Sequence, residues 1–329
     1  MILPHVDVLL PVYRTIQTLP EAVDDLLLQE GVTLRILAIV DTDPDNQDDG
    51  TLAWLQERSD TEPRVVLLEG KGQGPGPALQ VGLNAVKAPL VSHMEADDRC
   101  PPHRLSTLVR ELKRDPSLQG VTSQVEQVGA ATEGMSRYIT WQNTLLTHEA
   151  MSAERFVEIP ALHQTGLYHT ASLQECGGYE PQGPWPLDID FWYRWFAAGC
   201  RVGKVDQVLY SWRQHPGQST RSDSLHHLDA LRLCKIHYLE QCYGRTGSNP
   251  RPIHLISTGQ TLEVWTQDLR RTEIDLIAAD SWRPGEPPPA LPQQNGPLLL
   301  AAYGRHSVRN QFRDALGNPS EPETLLFTA

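Results

Sequence analysis

Apolar runs and amphipathic stretches alternate through the first hundred residues. VDVLLPVY, residues 6–13, has the near-continuous hydrophobicity of a strand covered on both faces, and Pro11 closes it. Val23, Leu26 and Leu27 then recur at helical spacing. They stand behind a capping box, Thr18 with Glu21 three residues on, where Pro20 lacks only a donor that the first turn does not use. The beat repeats with a strand LRILAIVD ending at Asp41, a polar loop TDPDNQDDG, a helix from about Thr51 and a third strand RVVLL. A glycine-rich loop, GKGQGPG, leads into the helix ALQVGLNAV, and a fourth strand, PLVSHMEADD, ends in an acidic cluster. Strands alternating with helices predict an α/β, doubly wound sheet, in which ligands bind beyond the carboxyl ends of the strands. Pro11, Asp41, Lys71 and the cluster at 95–98 all fall at such ends.

A less regular middle contains the aromatic helix DFWYRWFAAG, a strand-like VGKVDQVLYSWRQH and a helix LHHLDALRLCKIHYLEQCYG that stops near Gly244. GRTGSNPRP has turn and linker composition, which sets the expected domains at 1–247 and 248–329. In the second, IHLIS, a helix around Leu262 to Arg271, EIDLIAA, PLLLAAY, a helix near Val308 to Leu316 and ETLLFTA predict a small α/β unit.

Composition, 40% hydrophobic and 21% charged, is that of a globular protein. There is no basic start with a long apolar core, and no apolar run near the ~20 residues that cross a bilayer, so a cytoplasmic protein with no membrane span is expected. The five cysteines are scattered without a Cys-x-x-Cys pair, which fits that compartment. A net charge of -13 argues against nonspecific attraction to phosphate backbones or anionic lipid.

Chemistry concentrates in Glu95-Ala96-Asp97-Asp98, where like charges repel unless a cation sits among them. Hard oxygen ligands suit Mg2+ or Mn2+, which are commonly held by one or two carboxylates plus substrate phosphates. The same residues also read as a polar turn capping the next helix. Asp41 can accept hydrogen bonds from a base or ribose or belong to a solvated loop. Lys71 and the glycines at 70, 72, 74 and 76 can bring donors to a diphosphate, although the run matches neither the Rossmann fingerprint nor the P-loop. Asp188 and Asp190 precede the aromatic helix, either as caps or as a base whose apolar surroundings raise its basicity; Asp188 is the candidate. Tyr210, Trp212, Arg213 and His215 end a strand, with His215 a possible third metal ligand or diphosphate contact.

In this order, across roughly residues 5 to 222, the pieces resemble the family 2 inverting glycosyltransferases of the GT-A fold. LLPVYR looks like that family's first strand and IVD, ending at Asp41, like its uracil-contacting strand end. ALQVGLNAVKAPLVSHMEADD is similar to the helix and strand before its Asp-x-Asp metal motif. GGYEPQGPWPLDIDFWYRWFAAGCRVGKVDQVLYSWRQH is similar to its acceptor-side Glu-Asp segment and terminal Arg-x-His. Glu95 replaces the usual first Asp, Leu187 the Glu of the Glu-Asp pair, and Gln73 and Gln80 a common Arg and Asn. Phe191 stands where processive synthases have Gln, which argues against a processive synthase. The tail IHLISTGQTLEVWTQDL also resembles the Rossmann-like second module of β-1,3-N-acetylglucosaminyltransferase-like proteins, a group that includes a queuosine-tRNA galactosyltransferase.

The resemblance implies a UDP-sugar donor, with Pro11, Tyr13, Asp41, Lys71 and Glu95 lining its site. It further implies a divalent cation on Glu95, Asp97 and His215, and Asp188 as the base that activates an acceptor hydroxyl of a glycan, a lipid-linked sugar or a small molecule. The charge of -13 speaks against RNA, so tRNA stays open only through the resemblance. A nucleotidyltransferase and a noncatalytic sugar-nucleotide-binding protein are the other readings, the latter because of the four substitutions.

Overall fold

The computed structural model describes residues 3–41, 49–129, 132–214, 228–292, 296–317 and 325–328. In chain order the elements begin β1 (His5–Val12), α1 (Leu19–Leu27), β2 (Thr33–Val40), α2 (Thr51–Thr61), β3 (Val65–Glu69), α3 (Pro75–Ala85) and β4 (Leu90–His93). There follow α4 (Arg104–Arg114), β5 (Gly120–Gly129), α5 (Glu133–Thr144), α6 (His148–Glu154), a 3-10 turn His163–Thr165, β6 (Leu167–His169), α7 (Thr170–Glu175), α8 (Leu187–Ala197) and β7 (Val202–Gln214). The last set is α9 (Leu228–Tyr243), β8 (Ile253–Ser257), α10 (Gly259–Leu269), β9 (Leu276–Ser281), β10 (Leu298–Ala302), α11 (His306–Ala315) and β11 (Leu325–Thr328).

These elements divide into two units: Met1–Met151 with Pro160–Gln182 and Asp190–Asp223, and Ser152–Ile159 with Gly183–Ile189 and Ser224–Ala329. The first is built on a seven-stranded sheet in the order β3-β2-β1-β4-β6-β5-β7. β1 to β4 run parallel, as their near-continuous apolar runs predict. The three-residue β6 is antiparallel to both β4 and β5, which makes the sheet mixed. Chain order moves outward from β1 through β2 to β3 and then returns to β4 on the other side, so the switch point lies between β1 and β4. The central strands are buried along almost their whole length.

Two local details explain how such apolar strands admit odd residues. Pro11 needs no partner for an N–H on its β4 side, because β4 pairs with β1 only as far as Leu9. Asp7 is buried in β1. Burial pushes its carboxyl up, but Arg35 and the N–H groups of Lys87 and Ala88 outweigh that and hold it below the usual range. On the covering side, α3 approaches so closely that a Cβ on Gly82 would lie 2.7 Å from Ile39 and 3.0 Å from Leu9.

The capping box expected at Thr18 is not formed. Its hydroxyl donates to the Thr15 carbonyl, and Glu21 turns away to Arg99 and Arg213, at 3.2 and 2.8 Å. Two guanidinium partners give charge-assisted bonds that a single backbone N–H cannot match.

The second unit carries a four-stranded parallel sheet, order β11-β10-β8-β9. It is doubly wound in the same sense, with β8 and β10 at its centre fully buried except for His254. α9 belongs to this unit, where Lys235 Nζ donates to the Val157 carbonyl at 3.0 Å. No helix among the described residues is long and apolar enough to cross a membrane.

Candidate functional site

The carboxyl ends of β1, β2 and β4 bring four sequence-predicted residues to the switch-point side of the sheet: Tyr13, Asp41, Glu95 and Asp97. Tyr13 follows β1 and is 51% exposed, with the Arg14 guanidinium 5.5 Å above its ring. An exposed aromatic face at this position is unusual for a ring of that size and offers a stacking surface. The loop behind it is fastened to the start of α2: the Ile16 N–H donates to Asp49 and the Thr15 N–H to the Thr51 hydroxyl. Asp43, Asp45 and Asp48 lie outside the described residues.

Asp41 ends β2 and accepts hydrogen bonds from two amides of the glycine-rich loop, Gly72 at 2.7 Å and Gly74 at 2.8 Å. These two amides, read from sequence as donors to a diphosphate, are thus directed at a carboxylate of the protein. The loop runs close enough that a Cβ on Gly70 would lie 2.4 Å from Asp41, so only glycine fits there. A carboxylate has about four lone-pair positions, so Asp41 keeps acceptor capacity beyond the loop. Lys71 stands exposed between Gly70 and Gly72.

The acidic cluster separates into two kinds of residue. β4 ends at His93, and the turn that follows leaves Glu95 and Asp97 half-exposed and Asp98 fully buried. Asp98 accepts from the Tyr210 hydroxyl and from the Arg213 N–H, both at 2.7 Å. The same Tyr210 hydroxyl accepts the Glu95 N–H at 3.1 Å. Arg99 and Ser211 exchange both backbone hydrogen bonds, and Arg99 grips Asp25 of α1 with two nitrogens. The turn is therefore sewn to β7 and to α1. Burial, and then the charge of Asp97, push the Asp98 carboxyl well above the usual carboxylate range, against the pull of its two hydrogen bonds.

Beneath the turn lies a packed polar layer that sequence reasoning missed. Arg104, fully buried, donates to the carbonyls of His93 (2.9 Å) and Gln164 (2.6 Å) and lies 5.0 Å from the centre of the Tyr210 ring. His93 is fully buried; loss of water, and then the Arg104 charge, push its imidazole down to about 3, so it is neutral. Nothing in the local sequence marks these residues, because their partners come from other elements.

The second carboxylate pair also separates. Asp190 is fully buried and paired with Arg194 one helical turn on, at 2.6 Å; Arg194 in turn donates to the carbonyls of Cys176 and Gly178. Removing one member of such a pair strands the other, so Asp190→Ala should lower stability by roughly 3–5 kcal/mol in urea unfolding. A loss below about 1 kcal/mol would show the pair to be incidental. Asp188, two residues earlier in α8, is half-exposed. His215 falls outside the described residues.

Glu95 and Asp97 present hard oxygen donors on a turn whose negative field a divalent cation would relieve, which fits Mg2+ or Mn2+. No group of three or more ligating side chains occurs among the described residues, and cations of this kind commonly complete their shell with substrate phosphates and water.

The sequence profile of glycosyl transferase family 2 matches residues 7–176, more than half of the 329-residue chain and all but the first two residues of the β1 to β4 region. The chain belongs to glycosyl transferase family 2. Two relatives show the range of similarity. Succinoglycan biosynthesis protein ExoO of Rhizobium meliloti is 27% identical over 106 residues, 32% of this chain and 29% of ExoO. The uncharacterized glycosyltransferase RP339 of Rickettsia prowazekii is 23% identical over 228 residues, 67% of each. The chain thus spans about three tenths of one relative's length and about two thirds of the other's. Among solved structures, S. aureus TarS 1-349 in complex with UDP-GlcNAc matches with a TM-score of 0.56 at 16% identity, covering 71% of this chain and 66% of that one. At that identity the match shows the fold, the GT-A fold of family 2.

Proposed function

We propose that this family 2 chain transfers a hexose or N-acetylhexosamine from a UDP-sugar to an acceptor hydroxyl in one inverting, metal-dependent displacement. The observation that carries the reading is the split acidic turn: Glu95 and Asp97 held half-exposed at the switch point by a buried Asp98. A fold shared with a UDP-GlcNAc-bound TarS fragment makes uridine donors the first to test.

In this reading Glu95 and Asp97 hold the cation, with His215 as a further ligand. The cation supplies Lewis-acid stabilisation of the charge that builds on the departing diphosphate. Tyr13 and Pro11 flank the base, Asp41 accepts from the nucleoside through its remaining lone pairs, and Lys71 meets a phosphate. Asp188 takes the proton of the acceptor hydroxyl as that oxygen attacks the anomeric carbon. The acceptor is a glycan, a lipid-linked sugar or a small molecule; the resemblance of the tail adds a tRNA nucleoside to the acceptors worth assaying.

UDP-glucose, UDP-galactose and UDP-GlcNAc, each with Mn2+, Mg2+ or a chelator, provide the test. At least one should release UDP only when metal is present. Release of pyrophosphate from UTP and a sugar 1-phosphate, supplied in a parallel assay, would point to nucleotidyl transfer instead, and metal-dependent binding with no turnover of any donor to a noncatalytic module.

A further inference from the structure

The His93 ring is held in one orientation. It stacks on His163 with centroids 5.0 Å apart and planes 18° from parallel, and the Tyr179 ring stands edge-on to both. Nδ1 of His93 lies 3.1 Å from Nδ1 of His163. At the other end of the ring, Nε2 is buried and lies 3.1 Å from Glu95 Oε1, yet out of line for a hydrogen bond, so it has no aligned partner among the described residues. A buried ring nitrogen left in that state is costly, and the carboxylate oxygen beside it belongs to a half-exposed side chain.

Electrostatics choose the tautomer. A neutral imidazole carries one proton; if it sat on Nδ1, the Nε2 lone pair would face a carboxylate oxygen at 3.1 Å and repel it. With the proton on Nε2, the ring presents a donor to Glu95, and Nδ1 accepts from His163. Both contacts are then favourable. Reach matters as well: an Asp at 95 would end one methylene, about 1.5 Å, short of the ring.

We infer that His93, backed by His163, is a positioning residue that seats Glu95 Oε1 on its Nε2–H, and so fixes how this carboxylate offers its other lone pairs to a bound cation. The inference rests on the metal-site reading of Glu95. Groups that orient a ligating side chain from behind typically change metal affinity by 10- to 100-fold when removed.

The test is calorimetric binding of Mg2+·UDP by the full chain, together with nitrogen NMR of the imidazoles. In the unaltered protein His93 should be the Nε2–H tautomer, a result that does not depend on any variant folding. His93→Asn keeps an amide near His163 but withdraws from Glu95, and should weaken Mg2+·UDP about 10-fold. His93→Gln, whose amide reaches the Nε2 position, should recover most of that loss. In a Glu95→Asp background, His93→Asn should cost nothing further, because the contact is already gone. An Nδ1–H tautomer, wild-type affinity in His93→Asn, or additive losses in the double variant would overturn the role of His93. Failure of the unaltered protein to bind Mg2+·UDP would overturn the metal-site reading itself, and the role of His93 with it.

Discussion

Asp188→Asn should bind Mg2+·UDP as the unaltered chain does and transfer sugar roughly 10²- to 10⁴-fold more slowly, the usual contribution of a positioned general base. The amide keeps the shape of the side chain and loses only the ability to take a proton. Asp188 is half-exposed at the first turn of α8, so the change should leave thermal stability unaltered. That separates it from Asp190, two positions on, whose replacement acts on folding through Arg194. The measurement is transfer rate at saturating donor beside calorimetric affinity for the nucleotide. Equal transfer would remove Asp188 from the role of base, and a matching loss of binding would make it a donor contact.

The second large effect is expected at Asp97. Asp97→Asn should abolish metal-dependent UDP binding at micromolar metal and slow transfer by on the order of 10³-fold or more, since Lewis-acid stabilisation is worth several kcal/mol and each 1.36 kcal/mol is a factor of ten. The unliganded protein should nevertheless melt no lower than the parent, because the substitution relieves like-charge repulsion with the buried Asp98. A lowered melting temperature with intact Mg2+·UDP affinity would show that Asp97 belongs to the scaffold and not to the cation.

Much of this arrangement can be read in the chain. Continuous apolar runs ended by Pro11, Asp41 and Glu95 define β1, β2 and β4, and strand–helix alternation defines their parallel order. β6 is beyond such reading: three residues give no period, and their antiparallel pairing depends on where β4 and β5 already lie. The acidic turn shows the same limit at finer scale. Asp97 and Asp98 are adjacent and chemically identical, and what leaves one half-exposed and makes the other a buried anchor is Tyr210 of β7, 112 residues further along the chain. The Asp190–Arg194 pair, by contrast, has the one-turn spacing of a helical ion pair and was open to recognition from sequence. At Thr18 the local pattern was correct as a pattern and lost to tertiary charge, because Arg99 and Arg213 compete for Glu21.

The grip of Asp41 on Gly72 and Gly74 has a thermodynamic side. Glycines lose more freedom on ordering than any other residue, and a loose GKGQGPG segment would have to give up that freedom whenever a nucleotide arrived. Here the carboxylate fastens the segment while the chain folds, so the cost falls on folding and not on association. A nucleotide bound there, as proposed, would meet a surface already set, and its affinity would be spared the ordering of that segment.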